Sequence, residues 1–272
     1  MPMVYAKDGT EIHVKDWGQG RPVVLIHGWP LNADSWEYQA VKLAEAGFRV
    51  ISYDRRGFGR SGQPWEGYDY DVLSDDLAAV LETLGLTDAA IVGFSMGGGE
   101  VARYFGRHGG KGVSKAVFIS SVAPGMLKSD DNPEGVTRDV FEGIREGLRQ
   151  DRPAFLAEFF KDFYGQDTET GGVSDAILEW SRDMAMIASP RATLECVNAF
   201  GLTDFTADAA QITVPTLVIH GTGDKTVPIA ATARRMAKLV PHATLIEYEG
   251  APHGLTATEP DRVVRDLLDF LG

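Results

Sequence analysis

Six short apolar runs recur along the chain, each four or five residues long. Runs of this kind, with few polar residues between them, are typical of strands buried on both faces of a parallel sheet. A seventh signal lies at the start, where residues 4–6 and 11–14 flank Asp8-Gly9 and predict a β-hairpin. The six predicted strands are residues 23–26, 50–53, 89–92, 116–119, 216–219 and 244–248.

Helical patterns separate these runs. The clearest has apolar residues at offsets 0, 4, 7, 8 and 11, which places them on one face of a helix; they are Leu73, Leu77, Val80, Leu81 and Leu84. Further helices are predicted over residues 35–46, 96–108, 230–239 and 261–271. Alternation of strand and helix predicts an α/β fold with a mostly parallel, doubly wound sheet, whose ligand crevice lies at the carboxyl ends of the strands.

One segment, residues 125–211, interrupts the alternation. It contains no convincing buried strand, but helix-like patterns occur over residues 136–150, 152–164, 174–188 and 191–200, with a polar, glycine-rich linker over 165–172. We therefore predict two parts: a core formed by residues 1–124 and 212–272, and a helical cap, residues 125–211, inserted into that core.

Charge and cysteine content narrow the range of partners. With 26 Lys and Arg against 39 Asp and Glu, the net charge is −13, which repels nucleic acid and anionic lipid. The single cysteine, Cys196, cannot form an internal disulfide, and no Cys/His cluster suggests a metal site. We expect no nucleic-acid partner, no membrane association, no metal and a cytoplasmic location.

The most informative motif follows the predicted strand 89–92. Gly93-Phe94-Ser95-Met96-Gly97 matches G-x-S-x-G, in which a serine occupies a sharp strand-to-helix turn and the flanking glycines avoid Cβ clashes. The motif alone is weak, but its position between a predicted strand and a predicted helix is the setting that the turn requires. We predict that Ser95 is a nucleophile.

A serine nucleophile needs a base and a carboxylate that orients the base, and after such a turn they follow in the order acid, then histidine. Asp224 ends a late strand in a glycine-rich loop and is the predicted acid. Asp204 and Asp208 also fit the order, but they lie in or near the predicted cap, away from the end of a strand.

Among the histidines, the predicted base is His253, which follows the last predicted strand and lies C-terminal to Asp224. His13 and His242 are expected at the surface, and His108 ends a helix. The remaining two, His27 and His220, end strands beside glycine; we interpret them as structural histidines.

An oxyanion hole would complete the site. One backbone N–H comes from the residue after the nucleophile, Met96, and the other from the loop after strand 23–26. In that loop Pro30 has no N–H, so the second donor is predicted to be Trp29.

Taken together, these motifs resemble those of the α/β-hydrolase superfamily, and within it those of the group of bacterial aryl esterases and cofactor-free haloperoxidases (perhydrolases). The resemblance extends over nearly the whole chain and implies the same triad and the same oxyanion donors. Pro30 resembles the haloperoxidase-like members, whereas esterase-like members often have another residue there. The motifs that carry it are His27-Gly28-Trp29-Pro30-Leu31, Tyr53-Asp54-Arg55-Arg56-Gly57-Phe58-Gly59-Arg60-Ser61, Gly93 to Val101, His220-Gly221-Thr222-Gly223-Asp224 and Ala251-Pro252-His253-Gly254.

The expected function is hydrolysis of small acyl esters through an acyl-enzyme, with peracid formation as a side activity and no cofactor. A lactonase or amidase of the same fold, or a small-molecule receptor, are the alternatives. The resemblance also favours a homo-oligomer. We expect an apolar substrate pocket lined by Pro30, Phe141, Phe155, Phe159, Val227 and Ile229.

Overall fold

The computed structural model describes residues 3–272, so the first two residues of the predicted core segment 1–124 lie outside it. Within these residues, strands β1 (Val4–Tyr5) and β2 (Glu11–Ile12) form a small antiparallel ribbon, as the hairpin signal predicts. All six predicted strands are present, each within three residues of its expected bounds, but the last of them lies at the edge of the sheet and is only partly buried. They are β4 (Pro22–Ile26), β5 (Arg49–Tyr53), β6 (Ala89–Phe94), β7 (Val113–Ile119), β8 (Thr216–Gly221) and β9 (Ala243–Tyr248).

One strand of the main sheet escapes the sequence analysis. β3 (Val14–Gly18) pairs antiparallel with β5 at the edge of the sheet. Its centre is Lys15-Asp16, and Asp16 forms an ion pair with Arg49 of β5 at 2.7 Å. At the edge of the sheet the charged side chains of β3 reach ion-pair partners, Lys15 with Glu37 and Asp16 with Arg49, so β3 lacks the apolar run that marks the inner strands.

The strand order in the main sheet is β3-β5-β4-β6-β7-β8-β9, and β4 to β9 are mutually parallel. From β4 the chain moves to one side, to β5, whereas from β6 it moves to the other side, to β7. The carboxyl ends of the neighbouring strands β4 and β6 therefore flank the switch point, where open α/β sheets bind their ligands.

Helices pack on the sheet in pairs, α1 (Glu37–Glu45) with α10 (Pro260–Leu271), and α2 (Tyr70–Thr83) with α3 (Met96–His108). Right-handed crossovers in opposite directions put α1 and α2 on opposite faces. Four of the five predicted apolar residues are buried in α2, and Leu84, at the C-cap, is half-buried. The Asp69 side chain caps the first turn by accepting from the Asp71 and Val72 amides. The doubly wound α/β fold is confirmed.

Between β7 and β8 the chain forms α4 (Arg138–Tyr164), α5 (Asp175–Ile187) and α6 (Pro190–Leu202). The first two predicted cap helices are joined into one, α4, which bends where Asp151 leaves the helical conformation. The short α7 (Thr206–Ala209) packs instead on α3, and Phe205 contacts the edge of the Tyr70 ring. The assignment of residues 125–211 to a cap stays a prediction.

After β8 the chain continues through α8 (Ala233–Leu239) to β9, and then through α9 (Leu255–Thr258) to α10. Among residues 3–272, no helix combines the length and apolar character needed to cross a membrane. The cytoplasmic location stays a prediction.

Candidate active site

Ser95 occupies the sharp turn between β6 and α3. Its backbone has φ 54° and ψ −118°, a conformation that residues with a Cβ rarely adopt. The flanking glycines permit close packing: a Cβ on Gly93 would lie 2.5 Å from the carbonyl oxygen of Gly97, and a Cβ on Gly97 would lie 2.5 Å from that of Ile26. The turn thus presents the Ser95 hydroxyl at the carboxyl end of β6.

Three predicted site residues that are distant in sequence meet at this turn. The Ser95 Oγ–H lies 2.9 Å from His253 Nε2, and His253 Nδ1–H donates to Asp224 Oδ2 at 2.7 Å. All three residues are buried, with at most 6% of their surface exposed. The His253 ring contacts those of Phe94 and Phe163, which fix its plane. Ser95, His253 and Asp224 therefore form a hydrogen-bonded series in which His253 Nε2 can take the serine proton.

The Asp224 carboxylate is held by several N–H groups. Oδ1 accepts from the backbone amides of Thr226 and Val227 at 2.9 and 2.7 Å, while Oδ2 lies 2.7 Å from His253 Nδ1 and 3.1 Å from His220 Nε2. Burial acts to raise the pKa of Asp224, but the electrostatic attraction of His253 and the hydrogen bonds from both histidines outweigh it and hold that pKa well below its usual range. The carboxylate is therefore ionised at neutral pH.

The two predicted oxyanion donors lie beside this serine. Gly28 packs so closely that a Cβ there would lie 2.9 Å from Ser95 Cβ, so the Trp29 segment borders the nucleophile. Met96 is the first residue of α3, and a helix begins with unsatisfied N–H groups. In the part of the chain that the structure describes, neither the Trp29 nor the Met96 amide donates to a protein acceptor. Both are available to an oxyanion.

Hydrogen bonds of the His27 ring hold the segment that contains Gly28 and Trp29. Its Nε2 accepts from the Arg55 backbone amide at 3.0 Å, so Nδ1 carries the hydrogen and donates to Gly28 O at 2.9 Å. Burial, reinforced by the Arg55 charge, moves the pKa of His27 well below its usual value. His27 is thus neutral, with both ring nitrogens bonded.

An apolar cavity opens onto Ser95. Three of the six predicted pocket residues line it, Phe141, Phe159 and Val227, together with the side chain of Trp29, the predicted oxyanion donor. Its lining residues are Trp29, Ser95, Val122, Met126, Val136, Val140, Phe141, Ile144, Phe159, Phe200, Thr226 and Val227.

The structure does not place Pro30, Phe155 or Ile229 on the cavity wall. Phe155 lies one helical turn before Phe159 and stacks on the outer side of that ring, at 6.2 Å between centroids. Ile229 lies two residues beyond Val227, and Pro30 is buried beside Trp29, whose side chain reaches the cavity. We correct the predicted pocket accordingly.

Sequence reasoning missed a further group of lining residues. Val136, Val140 and Ile144 recur at intervals of four, so an apolar stripe that begins just before α4 and continues along its first turns is a signal in the sequence. Phe200 comes from α6 and contacts Trp29 at 5.5 Å between ring centroids. No local pattern indicates that contact, because it depends on how α6 folds back onto the core.

The rival acids lie elsewhere. Asp208 pairs with Arg103 of α3 at 3.1 Å, and Asp204 accepts from the Thr206 amide at the start of α7.

The other histidines make contacts away from Ser95. His108 pairs with Asp75, His242 is exposed and lies 2.9 Å from Val214 O, and His13 is partly buried between β2 and β3.

Within residues 3–272, no three His, Cys, Asp or Glu side chains are arranged to hold a metal ion. Cys196 is buried and unpaired by any disulfide.

Comparisons with known proteins agree with this architecture. The family model described as alpha/beta hydrolase fold matches residues 21–260. The chain is 45% identical to a non-heme chloroperoxidase of Kitasatospora aureofaciens, over 100% of this chain and 99% of that one. It is 42% identical to a bifunctional esterase/perhydrolase of Acinetobacter calcoaceticus, with the same coverage. A bromoperoxidase from Bacillus anthracis superimposes with a TM-score of 0.95 at 46% identity, covering 99% of both chains.

Proposed function

Because the chain belongs to the α/β-hydrolase fold family, we propose that it hydrolyses small carboxylic esters through an acyl-enzyme on Ser95 and that it also forms peracids. The observation that carries this proposal is the hydrogen-bonded series from Ser95 through His253 to Asp224. The relatives described as haloperoxidase and as esterase/perhydrolase support it.

Acylation begins when His253 Nε2 takes the proton of Ser95 Oγ as that oxygen attacks the ester carbonyl. The carbonyl oxygen becomes an oxyanion, which accepts from the Trp29 and Met96 amides. The bond to the alkoxy oxygen then breaks, and His253 passes its proton to the departing alcohol. Asp224 stabilises the imidazolium that forms between these steps.

In deacylation Ser95 becomes the leaving group and water becomes the nucleophile. Water attacks the acyl carbon while His253 takes its proton, and the serine leaves with that proton restored, which yields a carboxylic acid. If hydrogen peroxide attacks instead, the same transfers yield a peracid. Both nucleophiles compete for one acyl-enzyme, so the esterase and perhydrolase activities share every residue of the triad.

The cavity indicates the class of acyl group. Apart from Ser95 and Thr226, its lining side chains are apolar or aromatic, so a charged acyl chain would lose its hydration without a compensating partner. We propose uncharged, short acyl groups as substrates, covered by the helices of residues 125–211 acting as a cap. The predicted homo-oligomer stays a prediction.

Hydrolysis of p-nitrophenyl acetate tests the proposal. Ser95→Ala removes the attacking oxygen and should abolish turnover, and Asp224→Asn should lower kcat by roughly 10³–10⁴-fold by favouring the wrong imidazole tautomer. Ser114→Ala is the matched control and should keep full activity, because Ser114 lies near the start of β7, at the end of the sheet opposite to Ser95. Turnover by Ser95→Ala would refute the proposal, and a single slow acylation by the parent enzyme would favour the receptor alternative.

A further inference from the structure

His220 lies on β8, four residues before Asp224, and its side chain is fully buried. Its Nε2 lies 2.8 Å from Val227 O and 3.1 Å from Asp224 Oδ2. Both oxygens can only accept, because one is a carbonyl and the other belongs to an ionised carboxylate. Nε2 therefore carries a hydrogen, which it donates to Val227 O, and Asp224 Oδ2 lies 3.1 Å from the same nitrogen.

The other nitrogen of the ring fixes its charge. Among the described residues, His220 Nδ1 is buried and has no hydrogen-bond partner. Protonation there would bury an N–H group without an acceptor, which is costly. His220 is thus a neutral donor. A neutral donor can hold Asp224 in place without cancelling the negative charge that His253 faces.

The position of His220 on an inner strand allows its contact with Asp224 to anchor the loop that carries this carboxylate. Asp224 and Val227 belong to a loop, whereas β8 is an inner strand paired on both sides. The imidazole bridges the strand to both ends of the carboxylate turn, at Asp224 and at Val227. Groups supported from rigid elements hold a site more precisely than groups on a loop alone.

We propose that His220 is a positioning residue, which fixes Asp224 Oδ2 so that this oxygen receives the Nδ1–H of His253. The inference rests on the proposed triad function and adds a residue to it. The charged and titratable groups around the ring are Asp224, His253 beyond it, and Glu247, the register partner of His220 on β9, which is paired with Arg234 at 2.7 Å.

Two substitutions at His220 separate the donor from the bulk of the side chain. His220→Leu fills similar space without a donor, whereas His220→Gln retains an N–H group at similar reach. Hydrogen bonds to charged groups correspond to roughly 10- to 100-fold in rate. We expect kcat for p-nitrophenyl acetate to fall by about that factor in His220→Leu, with KM little changed, and to stay within about threefold in His220→Gln. His242→Gln, at the surface, is the control.

The pH profile provides a readout that loss of packing would not move. The acidic limb of kcat/KM follows protonation of His253. With one donor fewer, the carboxylate attracts the imidazolium more strongly, so the limb should move to higher pH in His220→Leu and remain in place in His220→Gln. An unmoved limb in His220→Leu would contradict the inference.

A double-mutant cycle with Asp224→Asn gives the decisive result. If His220 acts through Asp224, His220→Leu should cost little further activity in the Asp224→Asn background. An equal loss in both backgrounds would overturn the positioning role and assign the effect to the Val227 contact. Either result leaves the proposed function intact, since that function fails only if Ser95→Ala remains active. If His220→Leu does not fold, a His220→Gln enzyme with the 10- to 100-fold loss would equally overturn the inference.

Discussion

Arg55 and Glu100 form a fully buried ion pair that connects the two segments carrying the proposed oxyanion donors. Glu100 lies on α3, one helical turn after Met96, and also accepts from Tyr53 Oη–H at 2.7 Å. Arg55 donates to His27 O at 2.6 Å, just before the Gly28-Trp29 segment. The pair thus joins the start of α3 to the loop after β4.

This connection predicts a large effect of Glu100→Gln. Removing one charge leaves Arg55 buried and uncompensated, which costs about 3–5 kcal/mol of unfolding free energy. Urea denaturation measures it. Glu82→Gln, which removes an exposed partner of Lys111, should change stability by only about 0–1 kcal/mol. Equal effects of the two substitutions would show that the buried pair has no special importance.

The cavity predicts how acyl chain length affects the rate. We expect the parent enzyme to prefer acetyl and propionyl over octanoyl esters, because aromatic rings close the space above Ser95. Ile144→Ala should raise the hexanoyl-to-acetyl ratio of kcat/KM by about 4-fold or more, since each buried methylene contributes about 0.8 kcal/mol. Leu148→Ala, one turn further along α4 and off the cavity wall, should leave the ratio unchanged. Faster octanoyl hydrolysis by the parent would contradict this account.

Pro30 offers a test of the perhydrolase activity. It fixes its own φ near −65° and restricts Trp29, and we expect this restriction to direct a main-chain carbonyl toward hydrogen peroxide. One hydrogen bond contributes about 0.5–1.5 kcal/mol, so Pro30→Leu should lower the ratio of peracid formation to ester hydrolysis by about 2–13-fold. Peroxide-driven bromination of monochlorodimedone in acetate measures the first activity and p-nitrophenyl acetate the second. Pro133→Leu, in an exposed loop, is the control; a proportional change in both activities would remove Pro30 from the mechanism.

Cys196 should report on unfolding. Burial raises the pKa of its thiol to about 12, with the nearby Glu100 acting in the same direction. The reactive thiolate is therefore scarce at pH 8, and the folded enzyme should resist Ellman's reagent. Guanidinium should release one reactive thiol per chain. Rapid labelling of the folded protein would show that this part of α6 opens readily.

Much of this architecture follows from local sequence. Inner strands such as β4 and β6 need apolar side chains on both faces, so their runs are readable. Ser95 follows β6 directly and Asp224 lies three residues after β8, and glycines mark both turns. These local signals explain why the three residues of the proposed triad could be named without coordinates.

Long-range contacts could not be read in this way. His220 looks like any strand-end histidine until its distance to Asp224 Oδ2 is known. Phe200 and Phe155 have similar sequence surroundings, yet only Phe200 reaches the cavity, because the packing of α4 and α6 decides which rings face Ser95. β3 was hidden because an edge strand tolerates charge.

An acyl group on Ser95 can be detected as a covalent adduct. Turnover of p-nitrophenyl acetate is quenched with acid, and the peptides are then mapped by mass spectrometry. We expect one acetyl group per chain, on the peptide containing Ser95 and at that residue, with none on the corresponding peptide of Ser95→Ala. Acetylation at a different residue that turns over at the rate of catalysis would contradict this expectation.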